Sequence, residues 1–106
     1  MTTVAIKPAN CNKGRFFSAK AFYKSRVFAV NHKYVGGLRE KEGYTITHIK
    51  TALRIGCFDQ LNDAINAAKV LENCSGINWD RKKTEFCKQD AIIAKGIVEN
   101  NNGVLD

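Results

Sequence analysis

Acidic side chains are nearly missing from the first half of this chain. Residues 1–54 contain only Glu40 and Glu42 against eleven Lys or Arg, a net charge of +9. Residues 55–106 hold six basic and eight acidic residues, a net charge of −2, and the halves together make the formal +7 of the sequence. So uneven a distribution predicts a surface that meets a polyanion, with a separate layer covering it. The plainer alternative is that the cations solvate strand edges and keep the sheet monomeric.

Other absences narrow the class. No apolar run approaches the roughly 18 residues of a membrane span. The start, MTTVAIKPANCNKGR, lacks the apolar core and small-residue cleavage site of a secretory signal. The expectation is an intracellular, cytoplasmic protein without membrane contact. No two of Cys11, Cys57, Cys74 and Cys87 lie two to four residues apart, and His32 and His48 do not share zinc-ligand spacing. No metal or other cofactor is therefore expected, and without secretion the thiols are expected reduced and mostly buried.

Enzyme signatures are missing too. Gly36-Gly37 precedes neither Lys-Ser nor Lys-Thr nor a helix start, so it is no phosphate loop, and no serine sits in a glycine-flanked nucleophile turn. His48 with Cys57 across a hairpin is a conceivable nucleophilic pair, although a buried thiol beside a strand histidine is the commoner arrangement. Asp80 and Glu85 read as surface charges. The expectation is a protein without catalytic residues.

What is present is clearest from Lys50 to Leu71, KTALRIGCFDQLNDAINAAKVL. Thr51, Leu53 and Ile55 alternate with Lys50, Ala52 and Arg54, which predicts a strand with one dry face. Gly56 predicts a sharp corner, Asp59 a helix cap and Asp63 a favourable first-turn charge. Leu61, Ala64, Ile65, Ala68 and Leu71 then form an apolar stripe at helical spacing.

Upstream, Val4 to Ile6 is a short run that suits an edge strand or a basic arm. Phe16 to Tyr23 and Arg26 to Val35 read as two strands joined in a hairpin near Lys24-Ser25. Leu38 to Gly43, LREKEG, reads as a charged hairpin tip, and Tyr44 to Ile55 as one long strand kinked around His48. Downstream, Asn73 and Ser75-Gly76 stop the helix. Asp80 or Thr84 caps a second helix with an apolar side of Phe86, Ile93 and Ile97, Trp79 plugs the joint between the helices, and NNNGVLD frays.

The chain has no repeat or linker, so residues 1–106 are read as one domain. Its parts are an edge strand or arm over 1–14, sheet over 15–57, helix over 59–72, a second helix over 80–99 and a tail over 100–106. The fold class is α+β: a small antiparallel sheet of three to four strands, covered by one amphipathic helix, with a second C-terminal helix. If the helix covers one face, the other must look at solvent or a partner. Arg15, Lys20, Lys24, Arg26, Lys33, Lys50 and Arg54 lie in or beside the sheet and are the candidate nucleic-acid contacts, with Lys50 and Arg54 placed on the outward register.

The segment from Lys13 to Leu71, ending in LRIGCFDQLNDAINAAKVL, resembles the plant-type AP2 DNA-binding domain and the related arm-binding domains of tyrosine-type integrases. The matching positions are Gly56, Phe58, Ala64 and Ala68, at the junction of last strand and helix. The resemblance implies a three-stranded sheet in the DNA major groove, backed by the helix, with Arg26, Lys50 and Arg54 as sheet contacts. The strand tryptophans typical of that family are missing, with Phe28 in their neighbourhood, and the Leu38–Gly43 loop and second helix are additions. Small single-domain chains of this type also resemble phage or mobile-element inhibitors of host machinery, including anti-CRISPR proteins. That resemblance implies a host protein or ribonucleoprotein complex as partner. An exposed sheet edge would also allow a dimer.

Overall fold

Among the described residues, six antiparallel strands, in the order in which the chain makes them, form one sheet with two helices on it. The computed structural model describes residues 3–6, 17–35, 38–74, 76–80 and 87–104. The strands are β1 (Thr3–Ile6), β2 (Phe17–Lys24), β3 (Phe28–Val35), β4 (Leu38–His48), β5 (Leu53–Phe58) and β6 (Gly103–Val104). The helices are α1 (Leu61–Glu72) and α2 (Lys88–Asn100). The α+β class therefore stands, with a larger sheet than the three to four strands expected. The radius of gyration, 12.6 Å, matches the ~13 Å of a compact domain of about 100 residues.

The extra strands come from three places. Val4 to Ile6 lies within the edge strand β1, paired with β2. The tail expected to fray instead turns at Asn102, whose φ of 66° is one asparagine tolerates, and pairs with β5 as β6. The single strand expected over Tyr44 to Ile55 is two, β4 and β5, reversed by a tight turn over residues 49–52. The backbone N–H of Ala52 donates to His48 O at 2.7 Å to close that turn.

Two local readings are also corrected. Leu38 to Gly43 is not a hairpin tip but the start of β4. Between the pairs His32–Tyr44 and Tyr34–Arg39 the register shifts, so Glu40 to Gly43 bulge against Lys33 alone. Gly43 has φ 104°, the left-handed backbone such an irregularity needs. Gly56 is not a corner but lies inside β5, opposite Ile46. A Cβ there would lie 3.0 and 3.1 Å from the Val98 methyls, so glycine lets α2 cross the strand closely.

α1 starts at Leu61 with Gln60 rather than Asp59 at its cap, and Asp63 is in its first turn. Ala64, Ala67, Ala68 and Leu71 are fully buried, with Leu61 and Ile65 partly so. Small residues on that face bring the helix close to the sheet, against Phe28, Val30, Ile46 and Phe58. Each large side chain removed from water there contributes about 1.5–3 kcal/mol before entropy is counted.

α2 begins at Lys88 rather than near Asp80; residues 81–86, including Thr84 and Phe86, lie outside the described residues. The Asp90 carboxylate accepts from the Cys87 backbone N–H at 2.9 Å, one half of a capping box. Ala94 and Val98 are buried, and Ile93 and Ile97 pack beside them.

Candidate nucleic-acid interface

Strand direction alone gathers a group of cations. In an antiparallel sheet the end of β2, the start of β3, the end of β4 and the start of β5 fall at one end. Lys24 ends β2, Arg26 sits in the β2–β3 turn, Lys50 in the β4–β5 turn and Arg54 one residue into β5. The turns touch. Ile49 N–H donates to Val27 O at 3.0 Å, so Arg26 and Lys50 are carried on adjacent loops.

Each loop has a local reason for its shape. The Ser25 backbone N–H donates to Phe28 O at 2.8 Å, while its hydroxyl oxygen accepts from the N–H groups of Val27 and Phe28 at 3.2 and 3.1 Å. That serine turn leaves Arg26 exposed at its tip. Lys50 is also exposed, and its ammonium donates to Asp80 O. The expectation that Lys50 shares a strand face with Arg54 is thus corrected, because Lys50 belongs to the turn and reaches toward the segment after α1.

A third segment, residues 77–80, joins the two turns. His48 is 1 % exposed, and its Nε2 lies 2.7 Å from Trp79 O while its Nδ1 lies 2.7 Å from the Thr51 hydroxyl. A carbonyl only accepts, so Nε2 carries the proton. Burial pushes the His48 pKa below its ordinary 6.5, outweighing the opposing effect of the Trp79 bond, and the Lys50 charge pushes the same way as burial. The neutral ring then accepts from Thr51. Trp79 meets Phe28 edge-on, with centroids 4.7 Å apart, and its Nε1–H donates to Leu71 O at 2.8 Å. It therefore plugs the gap between the sheet and the last turn of α1 rather than the joint between the helices.

Between the three segments is a cleft of about 160 Å³, lined by Arg26, Val27, His48, Lys50, Trp79 and Asp80. Sequence reasoning selected Arg26 and Lys50 but missed the rest. The usable signal was modest, namely the sequence's only tryptophan following a helix stop.

The remaining sequence-selected residues do not line the cleft. Lys20 is exposed on β2, its ammonium 5.1 Å from the centre of the Phe22 ring. Lys24 is exposed and donates to Thr3 O at 2.7 Å. Arg54 pairs with Thr47 and falls on the side of the sheet away from the helices. Lys33 lies toward the opposite end of β3, and its side chain, like all of Arg15, lies outside the described residues.

The face away from the helices is not the open platform expected. Ala29, Asn31, Thr45 and Thr47 on that side are at most 3 % exposed. Part of the reason is a second apolar cluster of Val4, Ala19, Ala21 and Ala29, with Ile49 against it. The Thr47 hydroxyl donates to Asn31 Oδ1 at 2.8 Å, which satisfies both groups within the protein.

The Cys57 thiol does not meet His48. Cys57 stands opposite Thr45, with Sγ 3.9 Å from the threonine oxygen, whereas His48 stands opposite Leu53. Thr45 and His48 are three residues apart on β4 and so point to opposite faces. Cys74 is half-buried and Cys87 exposed, against the expectation of mostly buried thiols. Among the described residues no cluster of His, Cys, Asp and Glu could hold a metal ion, and no helix is long and apolar enough to cross a membrane. Comparison with protein-family models, curated proteins and solved structures found no match for this chain, so the resemblance to the AP2 domain rests on its short motif alone.

Proposed function

We propose that this protein is a non-catalytic nucleic-acid-binding domain that grips phosphates with one end of its sheet. The observation carrying the reading is the grouping of Lys24, Arg26, Lys50 and Arg54 at that end, in the basic half of the chain. Phosphate neutralisation by such groups supplies affinity without a groove-shaped platform. The sequence pointed to duplex DNA read by the sheet face. The burial of Asn31, Thr45 and Thr47 favours contact through the turns instead.

The test is fluorescence anisotropy with duplex DNA, single-stranded DNA and structured RNA at several salt concentrations. Binding near physiological salt with a steep log–log slope is expected for at least one polymer. Lys24→Ala and Arg26→Ala should each flatten that slope, by about 0.9 on duplex and 0.7 on a single strand. No binding, or an unchanged slope in both variants, overturns the reading.

A protein or ribonucleoprotein partner has a separate observation in its favour. A groove of about 440 Å³ between α1 and α2 is lined by Lys69, Val70, Asn73, Cys74 and Ile97, with Val70 48 % exposed. Exposed apolar surface of this kind is a common mark of protein contact. Pull-down from a bacterial lysate with and without nuclease separates the readings. A partner retained after nuclease favours direct protein contact, and one lost favours nucleic-acid bridging.

A further inference from the structure

The cleft between the three segments combines features that phosphate binding alone does not require. One wall is Trp79, half-buried and turned edge-on to Phe28. His48, almost wholly buried and with both ring nitrogens engaged, closes the inner end of the cleft. Arg26 and Lys50, both exposed, also line it, with the Lys50 ammonium donating to the backbone oxygen of Asp80, the one acidic residue of the lining. A cavity of roughly 150 Å³ holds one benzene ring, and this one measures about 160 Å³. That suits a single pyrimidine-sized ring and excludes a base pair.

We infer that this cleft receives one unstacked base of a single-stranded nucleic acid, packed against Trp79, while the adjoining phosphates meet Arg26 and Lys50. The inference rests on the nucleic-acid reading above and sharpens it, because it assigns the polymer to the single-stranded class. The physics is that of known single-strand binders, in which aromatic side chains stack bases and flanking cations track the backbone. A duplex keeps its bases paired and stacked, so it presents phosphates to Arg26 and Lys50 but nothing to the cleft.

Trp79 is the only tryptophan in the chain, so its fluorescence reports this site alone. The full-length protein is titrated with a short pyrimidine-rich DNA strand, the same strand annealed to its complement, and an abasic strand of equal length. Anisotropy of end-labelled strands is followed in parallel. The intact single strand should quench Trp79, whereas the abasic strand and the duplex should bind with little quenching. Arg26→Ala with Lys50→Ala should weaken single-strand binding roughly tenfold or more and lower the salt slope by about 1.4, two single-strand phosphate contacts. Arg26→Lys with Lys50→Arg should restore the slope.

Equal quenching by intact and abasic strands would mean that only charge is sensed, and would overturn the base site. So would single-strand binding by anisotropy with Trp79 unchanged, which leaves the broader phosphate-gripping reading intact. Quenching that survives Arg26→Ala with Lys50→Ala at unaltered affinity also overturns it. No binding of any strand near physiological salt removes both readings together.

Discussion

His48 shows how one side chain can join three parts of a fold. It is fully buried, it ends β4, and its two ring nitrogens hold the β4–β5 turn and the segment after α1. Because burial holds its folded pKa below 6.5, the unfolded chain takes up a proton first as pH falls. Stability contributed by the neutral ring is therefore fully present above about pH 6.5 and is lost as pH drops toward the folded pKa. Urea midpoints at about pH 7.5 and 5.5 should fall further for the parent protein than for His48→Gln. The variant should itself be less stable by about 1–3 kcal/mol at the higher pH, since a flexible amide does not reproduce the two fixed ring bonds to Trp79 O and the Thr51 hydroxyl. An equal pH response in both proteins would remove His48 as the origin.

Two glycines make the opposite kind of residue-scale point. A Cβ at Gly103 would run into the ring of Phe58, itself 2 % exposed, whereas one at Gly96 would meet nothing within 4 Å. Gly103→Ala should destabilise by about 1–3 kcal/mol through overpacking. Gly96→Ala, in the interior of α2, should stabilise by about 0.5–1 kcal/mol. Denaturant melts of the two variants should move in opposite directions.

At the scale of elements, the decisive piece is the turn between β4 and β5. Its last residue, Ala52, has φ 58° and is 8 % exposed, so the turn places a non-glycine residue in left-handed backbone. The cost is about 1–2 kcal/mol for a residue with a Cβ and more for a branched one. Ala52→Val should therefore lower the urea midpoint clearly, while Ala52→Gly should leave it level or slightly higher. A tolerated valine would show that the turn can relax into another form.

The same turn explains why α1 was legible in the sequence and the hairpin before it was not. Period 3.6 over Leu61 to Leu71 survives in the fold because one helix face packs on one sheet. Alternation over Lys50 to Ile55 did not distinguish a strand from a turn followed by a strand. Both place an apolar residue at every second position, and the reversal is set by a left-handed alanine that carries no sequence signature. Asp59 likewise looked like a helix cap, yet the register of β5 carried the strand to Phe58 and left Gln60 at the boundary.

For the molecule as a whole, charge and topology act together. A formal +7 on 106 residues is self-repulsive, and antiparallel order gathers Lys24, Arg26, Lys50 and Arg54 at one end. Arg26 is exposed on its turn and lines the cleft. Arg26→Ala should keep or raise stability at low salt by a few tenths of a kcal/mol while weakening polyanion binding, and the gain should vanish in high salt. Melting temperatures at two ionic strengths test this, and a loss of stability at low salt would mean that Arg26 holds the fold rather than awaiting a partner.

By itself the sequence determined the α+β class, the position of α1 and the basic character of the sheet half, because these depend on local period and on composition. Only the tertiary structure decided that the tail would return as a sixth strand and that Gly56 would lie under α2. It also decided that Ala29, Asn31, Thr45 and Thr47 on the far face would be buried and that His48 and Trp79 would meet beside Arg26 and Lys50. Those outcomes join residues as many as 53 positions apart, Arg26 to Trp79, and no local pattern records such a distance. They follow from strand order and from where each buried polar group found a partner.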